Sequence, residues 1–185
     1  MTQYRRLLLP GATDVCTVRL ERRGATTLTD HIEALRYAYG KTVREYPVTC
    51  PAMVVLPDHL HAVWTEPDSG VWYCERWRRI KSRFAHAVPD AGPGVGPDAV
   101  PDVGQMRPSF AAKRERGIGQ RRFYEPAVRN EAEFHRALDH CRTNPVKHGL
   151  VADAALWPYS SFAKGRIGHP ALGASTAKDL QYVNA

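Results

Sequence analysis

The sequence predicts an α+β fold, one antiparallel sheet with helices packed on one of its faces. Three observations carry that prediction. Short β-branched or apolar runs read as strands at 15–20, 53–56 and 61–64. Three longer stretches repeat apolar residues at 3.6-residue spacing and read as helices. The two kinds follow one another as β-α-β-β-α-β-α, an order that suits helices laid on one antiparallel sheet.

The chain has 185 residues, enough for one domain with a core of its own. A hydrophobic share of 43% beside 24% charged residues suits a soluble globular protein, and no apolar run nears the ~20 residues that span a bilayer. No signal peptide is visible, and neither a membrane nor a nucleotide cofactor is expected. Lys and Arg number 26 against 19 Asp and Glu, for a net charge of +7, the balance of a protein that meets a polyanion, most economically nucleic acid. Cys16, Cys50, Cys74 and Cys141 are scattered, without Cys-x-x-Cys spacing, and read as buried thiols of a reducing cytoplasm.

In chain order, Tyr4 to Leu9 is a basic, then apolar lead-in turned by Pro10-Gly11, and the first strand follows at Val15–Leu20. Leu28, Ile32, Leu35, Tyr39 and Val43 form the stripe of a first helix, stopped by Pro47. Two strands then flank Pro57-Asp58 as an antiparallel pair. The second helix follows Pro67-Asp68-Ser69-Gly70, with Tyr73, Trp77, Ile80 and Phe84 inward and Arg76, Arg79 and Arg83 on the opposite face. Arg78 and Lys81 flank the stripe, and only Glu75 stands against these cations. A charge run is often only a solvated face; the lack of acids between Arg76 and Arg83 points instead to phosphate contact.

From Pro89 the chain turns Pro- and Gly-rich, a composition unable to pack, and we expect a mobile insertion at about 89–117 within a single domain of residues 1–165. Lys113, Arg114, Arg116, Arg121 and Arg122 form a basic patch behind it, and 123–128 reads as a short strand with Pro126 at its edge. Asn130 caps a third helix with Glu133 at its third position; Phe134, Ala137, Leu138 and Cys141 point inward, while His140 and Asn144 share a second edge. Asn144-Pro145 is expected to end it. Residues 146–151 and 157–162 read as a segment docked over the core, and 166–185 as a loosely ordered tail.

The strongest chemical signal is His59-Leu60-His61, set between Val54-Val55-Leu56-Pro57 and Val63-Trp64. Side chains alternate along a strand, so both imidazoles face one way, ~7 Å apart along the backbone, as half of a divalent-metal site. A His-x-His pair also occurs on solvated strand faces. The apolar runs on either side favour a central strand, where solvated histidines are uncommon.

Several stretches together resemble the REP-associated tyrosine transposases, relatives of the single-tyrosine transposases within the HUH single-strand endonucleases. They are Tyr4-Arg5-Arg6, the block from Val54 to His61, Trp77-Arg78-Arg79-Ile80-Lys81, Arg122-Phe123-Tyr124-Glu125, the run from Asn144 to Val151 and the run from Trp157 to Phe162. The resemblance implies a ferredoxin-like fold, single-stranded or hairpin DNA of the REP type as partner, and metal-dependent cleavage and rejoining by a helix-borne tyrosine. The metal would be Mg²⁺ or Mn²⁺, held by His59, His61 and Asn144. Arg5, Arg6, Arg76, Arg79, Lys81, Arg83, Arg121, Arg122 and Lys147 become the expected DNA contacts. It also implies a bacterial cytoplasm, with the protein at the nucleoid when bound.

One position departs from the pattern. Where the resemblance calls for the nucleophilic tyrosine, one turn before Asn144, the chain has His140. Three readings follow: a hairpin-DNA binder that cuts poorly or not at all; cleavage with His140 as nucleophile through a phosphohistidine, or as base for a water on the metal; or Tyr124 or Tyr159 moving in. A basic RNA-binding module of similar fold is the rival from another class, and it leaves His59 and His61 unexplained.

Overall fold

The computed structural model describes residues 10–70, 72–88 and 127–164. In order they form β1 (Thr13–Arg19), α1 (Thr27–Asp30), α2 (Ile32–Glu45), β2 (Thr49–Val55), β3 (His59–Thr65), α3 (Tyr73–Ala87), α4 (Glu131–Lys147) and a 3-10 turn at Ala154–Leu156. The expected insertion, its basic patch, residues 123–126 of the expected last strand, Arg5, Arg6, Arg121, Arg122, Tyr124 and the tail lie outside the described residues.

The three strands are antiparallel in the order β1-β3-β2, which makes β3 the central one. Pro57-Asp58 supplies a two-residue turn between β2 and β3, closed by the Leu56 N–H on the His59 carbonyl at 2.8 Å. Both outer edges are occupied. Ala127 bridges Asp14, with the Val128 N–H on the Thr13 carbonyl at 2.8 Å, so the chain returns beside β1 where a fourth strand is expected. Along β2, Tyr159 and Ser161 exchange backbone bonds with Val55 and Met53, and the Trp157 indole donates to the Val55 carbonyl. The docking segment is thus an edge cover, which removes a row of unpaired backbone groups.

Helices pack on both faces of the sheet rather than on one. Leu60, Ala62 and Trp64 point towards α1, α2 and α3, where they meet Leu28, Leu35, Tyr39, Trp77, Ile80 and Phe84. Val63 points the other way with Ala52 and Val54, and this second face is closed by Phe134, Ala137 and Cys141 of α4. The reason is legible in β3, all seven of whose residues are buried. A strand apolar on both sides requires two covers.

Two helix boundaries differ from expectation. The first helix breaks at His31 into α1 and α2. The last runs through Pro145 to Lys147. Proline there forfeits one intrahelical donor, but the N–H groups of His148, Gly149 and Leu150 still close on the carbonyls of Asn144, Val146 and Pro145. Gly149, at φ 67°, then turns the chain in a left-handed conformation that glycine adopts without strain. Asn130 caps α4 as expected, accepting from the Glu133 N–H at 2.9 Å.

The arginines of α3 depart furthest from expectation. A helix advances about 100° per residue, which sets Arg76 only about 60° from Tyr73 rather than opposite it. Arg76 is fully buried; it pairs with Glu66 and donates to the carbonyls of Tyr46 at 2.8 Å and Pro47 at 2.6 Å. Arg83 bonds Glu45 and Thr42, each at 2.7 Å, and Arg79 bonds Glu75 at 2.7 Å while lying over the Tyr46 ring. Acids from neighbouring elements supply the compensation missing within the helix. Arg76 has no face to offer DNA, and α3, with Arg79, Lys81 and Arg83, covers the side of the sheet turned away from the histidines.

Candidate metal centre and its helix

His59 and His61 stand on the α4 side of β3, both buried, their rings 5.1 Å apart between centroids and nearly perpendicular. Each is held through Nδ1. Asp58 Oδ1 accepts from His59 Nδ1 at 2.6 Å, and Thr17 Oγ1, on the register partner of His61 in β1, lies 2.9 Å from His61 Nδ1. Asp58 is itself fixed, its Oδ2 accepting the Gly24 N–H at 2.9 Å and its carbonyl the Leu20 N–H at 2.8 Å. These partners occupy one nitrogen of each ring and leave Nε2, the arrangement that orients metal-binding histidines.

α4 brings three polar side chains to this place along one edge. His140 packs edge-on to His61, centroids 4.6 Å apart, and His148 packs against His59 at 5.1 Å. Between them Asn144 is 3% exposed, its Nδ2 3.0 Å from His140 Nε2. The Asn144 Oδ1 is buried without a hydrogen-bond partner. Such an oxygen costs about 1–3 kcal/mol if nothing meets it.

The electrostatics keep His59, His61 and His140 neutral. Burial, then the nearby His140, His59, Arg19 and His148, pushes His61 down to about 3. Burial also lowers His59, against the opposing pull of Asp58. Desolvation, then the Lys147 charge and the other histidines, lowers His140. Burial pushes Asp58 up, but the bonds from His59 and Gly24 outweigh it and hold the carboxyl below its ordinary range. Neutral rings carry the lone pairs a cation requires.

No protein-family model matches the chain. Over 162 residues, 88% of this chain and 83% of the relative, it is 35% identical to the REP-associated tyrosine transposase of Escherichia coli K12. The chain belongs to the REP-associated tyrosine transposase family. A solved structure described as a REP-associated tyrosine transposase bound to a REP hairpin matches the fold with a TM-score of 0.70 and 30% identity, over 100% of both chains.

Membership in this family implies a divalent metal cofactor, and the donor set fits one. Two neutral imidazoles keep Nε2, and a buried amide oxygen lacks a partner. Among the described residues no three His, Cys, Asp or Glu side chains are grouped to hold an ion, and the donors gathered here are two imidazole nitrogens and one amide oxygen.

Of the residues expected from sequence, the fold therefore gathers His59, His61, His140 and Asn144. Lys147 is exposed at the end of the same helix. Tyr159 packs with the core on the far side of the sheet, as do the other described tyrosines within that cluster, Tyr39 and Tyr73. Sequence reading passed over His148, although its i+4 spacing from Asn144 was visible. It also passed over Thr17, Asp58 and Arg19; Arg19 is exposed and sits opposite His59 in the β1–β3 register. Finding Thr17 and Arg19 needs the strand register, which no motif states, whereas Asp58 stands next to His59 in the chain.

Proposed function

We propose that this REP-associated transposase relative binds single-stranded DNA folded as REP-type hairpins and does not form the covalent 5′-phosphotyrosine expected of its family. One observation carries the reading: the side chain packed on His61, one turn before Asn144, is an imidazole already engaged by that asparagine. A tyrosine hydroxyl would reach about two bond lengths further, and in-line attack tolerates misplacement of only about an ångström. The solved relative bound to a REP hairpin supports the choice of partner, and the net charge of +7 suits a phosphate backbone.

His59, His61 and Asn144 would hold the ion. We take it to be Mg²⁺ or Mn²⁺, with nitrogen donors favouring Mn²⁺ in affinity. When bound it supplies Lewis-acid polarisation of the scissile phosphate. Asp58 and Thr17 keep the two imidazoles aimed, the Asp58 carboxylate also holds the His59 proton on Nδ1, and the cover of α4 keeps both rings out of bulk water. Arg19 and Lys147, exposed beside the cluster, are suited to the phosphates flanking it, and the protein would meet this DNA in the cytoplasm at the nucleoid.

The test is a gel shift of a labelled REP-type hairpin, with an RNA of the same sequence as competitor. DNA preference supports the reading. Equal or stronger RNA binding contradicts it.

A further inference from the structure

His140 stands where the family has its nucleophile, and its hydrogen bond to Asn144 gives it another task. The Asn144 amide nitrogen only donates. At 3.0 Å from it, His140 Nε2 must therefore be the acceptor, with the ring proton on Nδ1. Once Nδ2 is spent on His140, the plane of the amide is fixed, and Oδ1 is the buried atom left without a partner. The turned amide would instead spend Oδ1 on His140 and bury an N–H beside neutral imidazoles, where a cation finds no oxygen. The contact of His140 with His61 fixes the ring that accepts the bond.

We propose that His140 is a positioning residue for Asn144: its Nε2 accepts the amide N–H and thereby presents Oδ1 as the oxygen donor of the site. The inference deepens the reading of His59, His61 and Asn144 as metal ligands and rests on it. It assigns the histidine a function no tyrosine at this position could copy, since a phenol hydroxyl lies further from the backbone than Nε2. Loss of covalent chemistry and retention of the ion then follow from the same side chain.

The experiment is Mn²⁺ binding to the DNA-free protein, followed by electron paramagnetic resonance of free Mn²⁺, in the wild type, His140→Ala, His140→Gln and Asn144→Ala, with melting temperatures compared across the set. Glutamine carries an acceptor oxygen at the same bond count from the backbone as Nε2. His140→Ala should weaken Mn²⁺ about ten- to a hundred-fold, as loss of a partner behind a ligand does elsewhere. His140→Gln should recover most of that loss, a rescue that a role in packing alone would not give. Asn144→Ala should weaken binding at least as much as His140→Ala. If Asn144→Ala weakens Mn²⁺ while His140→Ala binds as well as wild type or more tightly, the positioning role falls and the ligand set stands. His140→Gln as weak as His140→Ala also overturns the positioning role. Unchanged affinity in Asn144→Ala overturns both.

Discussion

The two faces of the sheet treat charged and polar groups in opposite ways. On the α2–α3 side the arginines are paired within the fold: Arg76 is bonded to Glu66 and two carbonyls, and Arg79 and Arg83 are shared among Glu45, Glu75 and Thr42. On the α4 side, four imidazoles and an amide crowd together, Asp58 bonds one of the rings, and a buried oxygen is left over. The first pattern is that of a scaffold. The second is that of a site which expects something from outside. Charge count alone does not tell the two apart, because Arg76, Arg79 and Arg83 are all paired with acids of the fold.

Breaking the scaffold side should have the largest effect. Arg76→Ala strands Glu66 in the core, and removal of one partner of a buried pair costs about 3–5 kcal/mol. Urea unfolding should show that loss, and a variant as stable as wild type would show that the pair is not buried in solution. The next effect belongs to the other face. His59→Ala with His61→Ala should abolish Mn²⁺ binding while leaving the circular dichroism spectrum intact; unchanged affinity would remove the metal site altogether.

A finer test sharpens the contrast. For a single strand each phosphate neutralised contributes about −0.7 to the slope of log K against log salt. Arg79→Ala with Arg83→Ala should change that slope for hairpin binding by less than about 0.7, because both guanidinium groups are occupied by acids. Arg19→Ala with Lys147→Ala, beside the histidines, should flatten it by about 1.4. The reverse ranking would return the DNA to α3. Smallest of all, Asn130→Ala removes the cap of α4 and should cost about 1 kcal/mol in unfolding, with Mn²⁺ affinity unchanged.

Much of this was legible in the sequence, for identifiable reasons. Strand alternation placed His59 and His61 on one face, and 3.6-residue spacing placed His140 and Asn144 on one edge of a helix, because both periods are local properties of the backbone. What was not local was missed. The partner of Arg76 lies on the segment after β3, the partner of Arg83 at the end of α2, and neither is signalled near α3. The number of covered faces was misjudged for a similar reason: the apolar positions of β3 report burial on both sides only when Val63 and Leu60 are read as opposite faces of one strand. His148 meets His59 because α4 continues through Pro145, which no local period signals.

In the proposed reading the α4 side keeps the metal-binding half of the site and carries a positioning histidine in the place of the family's nucleophile. The most direct measurement is a denaturing gel of protein incubated with a 5′-labelled cognate hairpin and Mn²⁺, comparing wild type with His140→Tyr. No covalent protein–DNA band is expected from the wild type, and one should appear in His140→Tyr. A strong covalent band from the wild type would contradict it: lost in Tyr124→Phe, that band would assign the nucleophile to Tyr124, and, acid-labile and lost in His140→Ala, it would make His140 itself the nucleophile.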